Sequence, residues 1–496
     1  MIREHADIVV LGAGFAGGLM ALVLKRIGRQ PLLLERGTHP RFAIGESTTP
    51  LANLVLEHLS RTYDLPRLFP FTEYGRWQQT YPHLACGLKR GFTFAKHHAG
   101  RHWQPSVDHA NELLVAASPT DEVGDTHWFR EQFDQFLAQE VRNEGTPYYD
   151  RTDIVAVKQD RRWQLRGNRG DDAVEIDAAF VIDATGPAGL LPRQLGIKTD
   201  PLLVHTNSWS VYSHFVGVKL WEDLLREAGA RIDDHPYRCD DAALHHILED
   251  GWMWVLRFNN GVTSAGFVLD CQRHPSNPSL SPEAEWQQII RNYPSIARQF
   301  AGAEAIQPWV RTGRIQRCAA REAGPNWVML PHAAYFLDPL FSTGIAHTLL
   351  GIERLARILE RPHNQTDQAE QLADYERTLF REVEFVDWLV HGSYRTFDRF
   401  ELLAAYTMYY FAAAVQSEER RQKGIAGLGE EILFSHDPCL RSAVRDAYPA
   451  ILRCPADPQQ SSGFAAEFHR RVASDIAAFN PAGFCDAAKQ HMYPFI

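Results

Sequence analysis

The sequence predicts an α/β protein: a parallel, dinucleotide-type sheet carrying inserted strand-rich segments, followed by a helical C-terminal region. Three observations carry this expectation. A short β-branched strand runs into Gly12-Ala13-Gly14-Phe15-Ala16-Gly17, two later strands end in acidic or glycine-containing turns, and an apolar stripe at helical spacing appears late in the chain.

The first strand is Asp7–Leu11, buried by composition. After it, Gly12 permits the tight turn, Gly14 lets the backbone approach a diphosphate, and Gly17 lets helix and strand pack closely. The apolar segment Leu19–Ile27 reads as the helix, with Phe15 and Ala16 in the glycine turn that precedes it. Its unpaired N–H groups and dipole favour the negative diphosphate. A second strand, Pro31–Leu34, ends in Glu35, placed to accept hydrogen bonds from a ribose, with Arg36 beside it. The polar loop that follows, Arg41 to Pro50 with Glu46 and Ser47, is more than a plain NAD dehydrogenase needs. Phe180–Gly186 is another strand with an acidic, glycine-containing turn. Trp327–Ala334 leads into Asp338-Pro339-Leu340-Phe341-Ser342-Thr343-Gly344-Ile345, a polar turn before a helix over Ala346–Leu359. A helix start preceded by Ser-Thr-Gly is again suited to an anion. Leu372, Tyr375, Leu379, Val383, Val386 and Leu389 then recur three and four apart, an amphipathic stripe.

Composition bounds the function. The 496 residues carry a formal charge of −10, which argues against nucleic-acid binding, and 45% hydrophobic residues can build a sizeable core. Seven Cys without a CxxC fit reduced thiols. No signal-peptide pattern and no run of about 18 apolar residues is read, so a cytoplasmic protein without a membrane span is expected. The aromatic content is high, with 12 Trp. No internal repeat or low-complexity linker interrupts the chain.

Taken together these segments resemble the glutathione-reductase-type FAD domain of single-component flavin monooxygenases. Within that group the chain is most similar to the flavin-dependent halogenases, in particular the phenol-type members. The most specific pieces are Cys86-Gly87-Leu88-Lys89-Arg90-Gly91-Phe92-Thr93-Phe94, Trp252-Met253-Trp254-Val255-Leu256-Arg257 and Asp338–Gly344. The resemblance runs to about residue 360 and more weakly beyond. It implies a Rossmann-like FAD-binding domain assembled from residues 1–80, 126–200 and 305–360. It also implies a substrate-side sheet from 81–125 and 201–304, and a helical region over 361–496. The implied chemistry uses FAD in its reduced form (FADH2), molecular oxygen and a halide ion, chloride or bromide. Flavin hydroperoxide and halide make hypohalous acid, which reaches an electron-rich, phenolic ring by way of Lys89. No second Rossmann unit is read, since Gly427-Leu428-Gly429 follows a charged stretch, so a separate NAD(P)H-dependent flavin reductase is the expected partner.

By the same resemblance the catalytic candidates are Lys89, Trp252 and Trp254. Lys89 sits among small and apolar residues, where desolvation would lower its pKa; a lysine snorkelling from a strand edge is the plainer alternative. The two tryptophans share one face of a strand and either wall a passage beside the flavin or fill a core. Arg257 stands where the family has Pro, and such a charge could bind halide, bind a substrate carboxylate or face solvent. Thr343 and Gly344 match the halide turn, and Asp338, Gly344 and Ile345 the flavin contacts. Phe341 stands where tryptophan-specific members have Glu, which suits a phenolic substrate; Phe94 and Phe341 are assigned to its pocket. Arg130 matches an Arg-x-x-Phe-Asp helix that contacts FAD in related flavoproteins, while Phe129, Phe133 and Phe136 read as a core face. Tyr406–Phe411 is core or a lid over an aromatic substrate. The histidines His97, His98, His102, His245 and His246 lack metal-ligand spacing, and no metal is expected. An aromatic hydroxylase using NAD(P)H and a non-catalytic flavin-binding protein are the alternatives.

Overall fold

The computed structural model describes residues 1–199, 204–360, 365–425, 430–454 and 458–496; Gly427-Leu428-Gly429 lies outside the described residues. Two large sheets dominate. In the first, the strands Trp327–Met329, Asp172–Asp183, Ile2–Leu11, Pro31–Leu34 and Tyr148–Tyr149 lie side by side, all parallel. The register sets Leu11 against both Asp183 and Leu34, so the three turns that carry the motifs leave the sheet at one edge. Val9, Val10, Leu33, Val181 and Ile182 are fully buried, as the β-branched runs predict for a sheet covered on both faces. The helix Phe15–Arg26 packs on that sheet through Leu19, Met20, Leu22 and Val23.

The second sheet has nine strands. Its path runs Glu304–Ala305, Ser208–Val216, Thr263–Asp270, Gly251–Arg257, Ala243–Ile247, Gly91–Lys96, Glu112–Ala116 and Met492–Tyr493, with Val310–Arg311 beside the second of these. The region after residue 361 is mostly helical, but it also returns a strand: Met492–Tyr493 pairs in parallel with Leu114–Val115 and closes that edge. Lys89 is not in this sheet. Its strand, Cys86–Lys89, forms a separate two-stranded ribbon with Asp125–Trp128, which sets Lys89 opposite Asp125. The chain turns at Arg90, whose N–H donates to the Asp241 carbonyl while its own carbonyl accepts from Ala117. Only glycine fits next, because a Cβ on Gly91 would lie 2.1 Å from the Val115 carbonyl oxygen.

The stripe Leu372–Leu389 is buried along the helix Gln365–Tyr394, which packs against the helices Thr343–Glu360 and Phe400–Gln422. One buried carboxylate fixes this junction. Glu382 takes His347 Nε2 at 2.6 Å, Arg354 at 2.5 and 2.9 Å, and the Ile432 N–H at 2.7 Å. The start of the Thr343–Glu360 helix is thereby held in place for the turn that precedes it. Phe129 departs from the expected core face. It precedes the helix Arg130–Asn143 rather than belonging to it, and packs on Phe258 at 5.1 Å, whereas Phe133 and Phe136 meet Phe71. Among the described residues no helix is long and apolar enough to cross a membrane.

Candidate active site

The dinucleotide cradle follows the glycine pattern. A Cβ on Gly17 would sit 1.8 Å from the Gly12 carbonyl oxygen, and Gly12 holds φ at +94°. Gly14 begins the helix, and its missing side chain faces Arg41 and Arg130 Nη2 at 3.5 and 3.7 Å from where a Cβ would stand. Two guanidinium groups thus converge on the helix start, with the Asp134 carboxylate that holds Arg130 also 3.7 Å from that Cβ position; guanidinium and helix N–H groups are the donors an anionic diphosphate requires. Phe15 lies beneath Arg130, 4.8 Å from ring to guanidinium. Arg130 is itself fixed by Asp134 through two 2.8 Å bonds, and it donates to the carbonyls of Ile44 and Gly45. Glu35 accepts from the Ala13 N–H at 2.9 Å and from Gly37, at the mouth of the glycine turn. Arg36 is exposed beside it. These residues fit the dinucleotide that the motif predicts.

The loop after Glu35 carries the cradle to the rest of the site. Glu46 is buried and its carboxylate binds His214 Nε2 at 2.8 Å, which pins the loop to the nine-stranded sheet. Ser47 accepts a 3.1 Å hydrogen bond from Ser342, and the next carbonyl, that of Thr48, accepts from Lys89 Nζ at 2.5 Å. Ser47, Ser342 and Lys89, distant in sequence, are thus two side-chain bonds apart. Ser342 adopts φ +53°, an uncommon conformation for a residue with a Cβ, directly before the helix that starts at Thr343. Nothing lies within 4 Å of where a Gly344 Cβ would be, and Ile345 is buried behind it.

Lys89 is completely buried, with its ammonium 4.0 Å from the centre of the Phe92 ring. Burial pulls its pKa down to about 7, resisted by Asp125 across the ribbon and by Glu418 from the Phe400–Gln422 helix. Burial pushes Asp125 up to about 7, resisted by Lys89 and by the Asn53 amide that donates to it at 2.7 Å. A snorkelling lysine is therefore not what the structure contains; the neighbour Arg90, bonded to Asp121, is the more accessible of the two.

From Lys89 an aromatic row crosses the sheet. Phe94 stacks on His245 at 4.6 Å, His245 meets Trp252 at 5.0 Å, Trp252 meets Trp254 at 6.2 Å, and Trp254 meets Tyr212 at 5.8 Å. Tyr212 faces Phe42 of the cradle loop at 6.4 Å. Trp252 donates to the Tyr394 hydroxyl at 3.1 Å, and Tyr394 donates to Asp338 at 2.7 Å. Asp338, also bound by Ser208 and the Leu340 N–H, is pushed up to about 7 by burial against those three bonds. Trp254 donates to Ser264 and lies over Gly266, where a Cβ would stand 2.2 Å from the indole. Phe341 stacks on Tyr410 at 4.3 Å, and Tyr410 and Phe411 close over Phe92. The aromatic run Tyr406–Phe411 is therefore divided. Tyr410 and Phe411 face this box, while Tyr406 bonds the Trp388 carbonyl and Tyr409 bonds Asp475.

Three participants have no signal in the sequence. Tyr394 comes from a helix read only as an amphipathic stripe, Asp125 from the last residue of the inserted segment 81–125, and His245 from a pair read only as lacking metal-ligand spacing. His245 is held neutral, with its pKa lowered to about 3 by burial and then by Lys89. Arg257 takes none of its three expected roles. It pairs with buried Asp240 at 2.8 Å and donates to the carbonyls of Val218 and Lys219, while Asp240 caps the helix Trp221–Glu227 through the Trp221 and Glu222 N–H groups. Arg257→Met should cost about 3 kcal/mol, the loss expected when one partner of a buried pair is removed. Urea denaturation measures it, and an unchanged midpoint would show the pair to be idle.

Comparisons with known proteins point to one family. The tryptophan halogenase family profile matches residues 125–403. The tetracycline 7-halogenase of Kitasatospora aureofaciens is 30% identical over 462 residues, 91% of this chain and 80% of its own. The monodechloroaminopyrrolnitrin halogenase PrnC of Pseudomonas fluorescens is 28% identical over 433 residues, 84% of this chain and 72% of its own. Among solved structures, the halogenase PltM in complex with phloroglucinol and FAD superposes with a TM-score of 0.88 at 26% identity, covering 98% of this chain and 99% of that one.

Proposed function

The chain belongs to the tryptophan halogenase family of flavin-dependent halogenases, and from that premise we propose that it halogenates a phenolic ring, with Lys89 delivering the halogen. The observation that carries this reading is the position of Lys89: fully buried, one backbone carbonyl away from the Ser47–Ser342 contact, and roofed by Phe92. Bound FAD, reduced by a separate NAD(P)H-dependent reductase, supplies the oxidation of chloride or bromide by oxygen.

The chain's own groups do the rest. Gly12, Gly14, Phe15, Ala16, Gly17, Arg41 and Arg130 hold the diphosphate, and Glu35 takes the ribose. The N–H groups of Thr343 and Gly344, at a helix start preceded by a strained residue, hold the halide. Trp252 and Trp254 wall the passage along the aromatic row and keep water from it. Burial lowers the Lys89 pKa, so the side chain can donate a hydrogen bond to hypohalous acid as the ammonium, or as the free amine take the halogen on nitrogen with release of water. The ring then lies against Phe94 and the stacked Phe341–Tyr410 pair. With Phe341 where a carboxylate would otherwise support a cationic ring, the substrate's own phenolate must stabilise that charge. PltM, in its complex with phloroglucinol, supports a phenolic substrate class for this fold.

The test is the purified protein with FAD, a flavin reductase, NADH, oxygen, bromide and a panel of phenols, read by mass spectrometry. The expected product shows the bromine isotope doublet, and its formation needs the reductase. A gain of one oxygen with bromide ignored would instead establish a hydroxylase.

A further inference from the structure

We propose that His109, Glu112 and His235 form a binding site for one divalent transition-metal ion of the zinc class, remote from Lys89. Glu112 opens the strand Glu112–Ala116, at the opposite end from Ala116, which pairs with Gly91 beside Lys89.

Three observations point there. First, the donor atoms already converge. His109 Nδ1 lies 3.0 Å from one Glu112 oxygen, His235 Nε2 lies 3.9 Å from the other, and one atom from each residue falls within 4.8 Å of the rest. A tetrahedral zinc with ligands at about 2.0–2.1 Å separates neighbouring donors by about 3.3 Å, so a small closure suffices.

Second, His235 Nε2 is buried without a hydrogen-bond partner among the described residues, on a side chain only 4% exposed, and faces the carboxylate. Glu112 is as deeply buried. Among the described residues its ion-pair partners are those two imidazoles, with no lysine or arginine. A divalent cation satisfies the imidazole lone pair and the buried anion together.

Third, the other ring nitrogen of His109 faces the Asp234 carboxylate at 3.2 Å. A carboxylate behind an imidazole fixes the tautomer of a metal-ligating histidine. Asp234 is held in turn by Arg231 at 2.7 Å, and Arg231 also reaches His109 Nε2 at 3.4 Å and Gln490 at 3.1 Å. Two nitrogen donors and one carboxylate favour zinc, cobalt or nickel over calcium or magnesium.

The site would be structural. His491 Nδ1 lies 3.1 Å from the carbonyls of both His109 and Glu112, just before the strand Met492–Tyr493 joins the sheet. A metal here clamps the 231–235 segment and that last strand to one edge.

The experiment uses the full chain, stripped with EDTA and dialysed against Zn(II). The wild type is expected to hold about one zinc per chain by mass spectrometry of the metal, to melt higher when loaded, and to show visible d–d bands with Co(II). His235→Gln, which removes a ring nitrogen without a hydrogen-bond partner among the described residues, should lose the metal, the bands and the zinc-dependent rise in Tm, yet keep halogenation. A wild type that retains no zinc after dialysis overturns the proposal and leaves a protonated His109 bridging Glu112 and Asp234. Equal zinc in wild type and His235→Gln overturns it too.

Discussion

Lys89→Ala should lower product halogenation by on the order of 10²–10⁴-fold, the range that a positioned proton-transfer group contributes, while flavin binding stays at the wild-type level. The side chain touches none of the cradle residues; its contacts are the Thr48 carbonyl and the Phe92 ring. A loss confined to the chemical step is therefore expected, seen in single-turnover reactions started with reduced flavin and followed by product mass. Wild-type product yield in this variant would remove Lys89 from the mechanism. Its neighbour supplies a second reading of the same step. Asp125 holds the Lys89 pKa up against burial, so Asp125→Asn should let the amine lose its proton at lower pH. The limb of the pH–rate profile that reports Lys89 then moves to the acid side, whereas a purely structural role for Asp125 would lower the rate equally at every pH. Because the two groups interact, the wild-type limb belongs to the pair.

Gly17→Ala is the second large effect, and it acts on the cofactor. The new methyl would stand 1.8 Å from the Gly12 carbonyl oxygen and 3.2 Å from the Ala184 Cβ, and both obstacles belong to turns that the parallel sheet anchors. Neither can yield without moving the cradle, so a cost of about 3 kcal/mol or more and near-complete loss of flavin binding are expected. Gly18→Ala is the internal comparison. There the methyl's nearest neighbour is the Leu137 Cβ at 3.2 Å, and the helix gains by losing a glycine. Flavin fluorescence titration and Tm on both variants decide the matter, and equal behaviour would mean that the close strand–helix packing is not what the cradle depends on.

The parts of this site that the sequence made legible are those in which function and local conformation share one segment. Gly12, Gly14 and Gly17 announce a strand, a turn and a helix start by spacing alone, and Trp252 with Trp254 announce one face of a strand. Lys89 among small and apolar residues reads equally as a lysine snorkelling from a strand edge, and it is the family resemblance that singles it out. What stayed hidden depends on register between distant segments. The Ser47–Ser342 bond, the pairing of Lys89 with Asp125 and the path from Trp252 through Tyr394 to Asp338 each join residues whose own neighbourhoods are unremarkable. Arg257 shows the same limit from the other side. Its charge suggested a ligand, yet Asp240, which caps a helix, needed a cation. Phe129 is buried as expected but against Phe258 rather than on the face of Phe133 and Phe136, because helical periodicity does not reveal that the helix begins one residue later.

The strand order of the parallel sheet bears on how the chain reaches this state. Ile2–Leu11 pairs early with Pro31–Leu34 on one side, but its other side is filled only when Asp172–Asp183 arrives, and Val181–Asp183 of that strand meets Trp327–Met329 only later still. Contacts of such long sequence separation carry a large loop-closure entropy and slow a folding reaction. The first helix and the two strands that flank it can collapse early, but the apolar runs Ile8–Leu11 and Phe180–Ile182 then wait with an unpaired edge. In a chain of this size such waiting strands are the surfaces through which folding intermediates aggregate. Slow synthesis at low temperature should therefore raise the yield of native protein, through the time it gives the middle of the chain to close over its beginning.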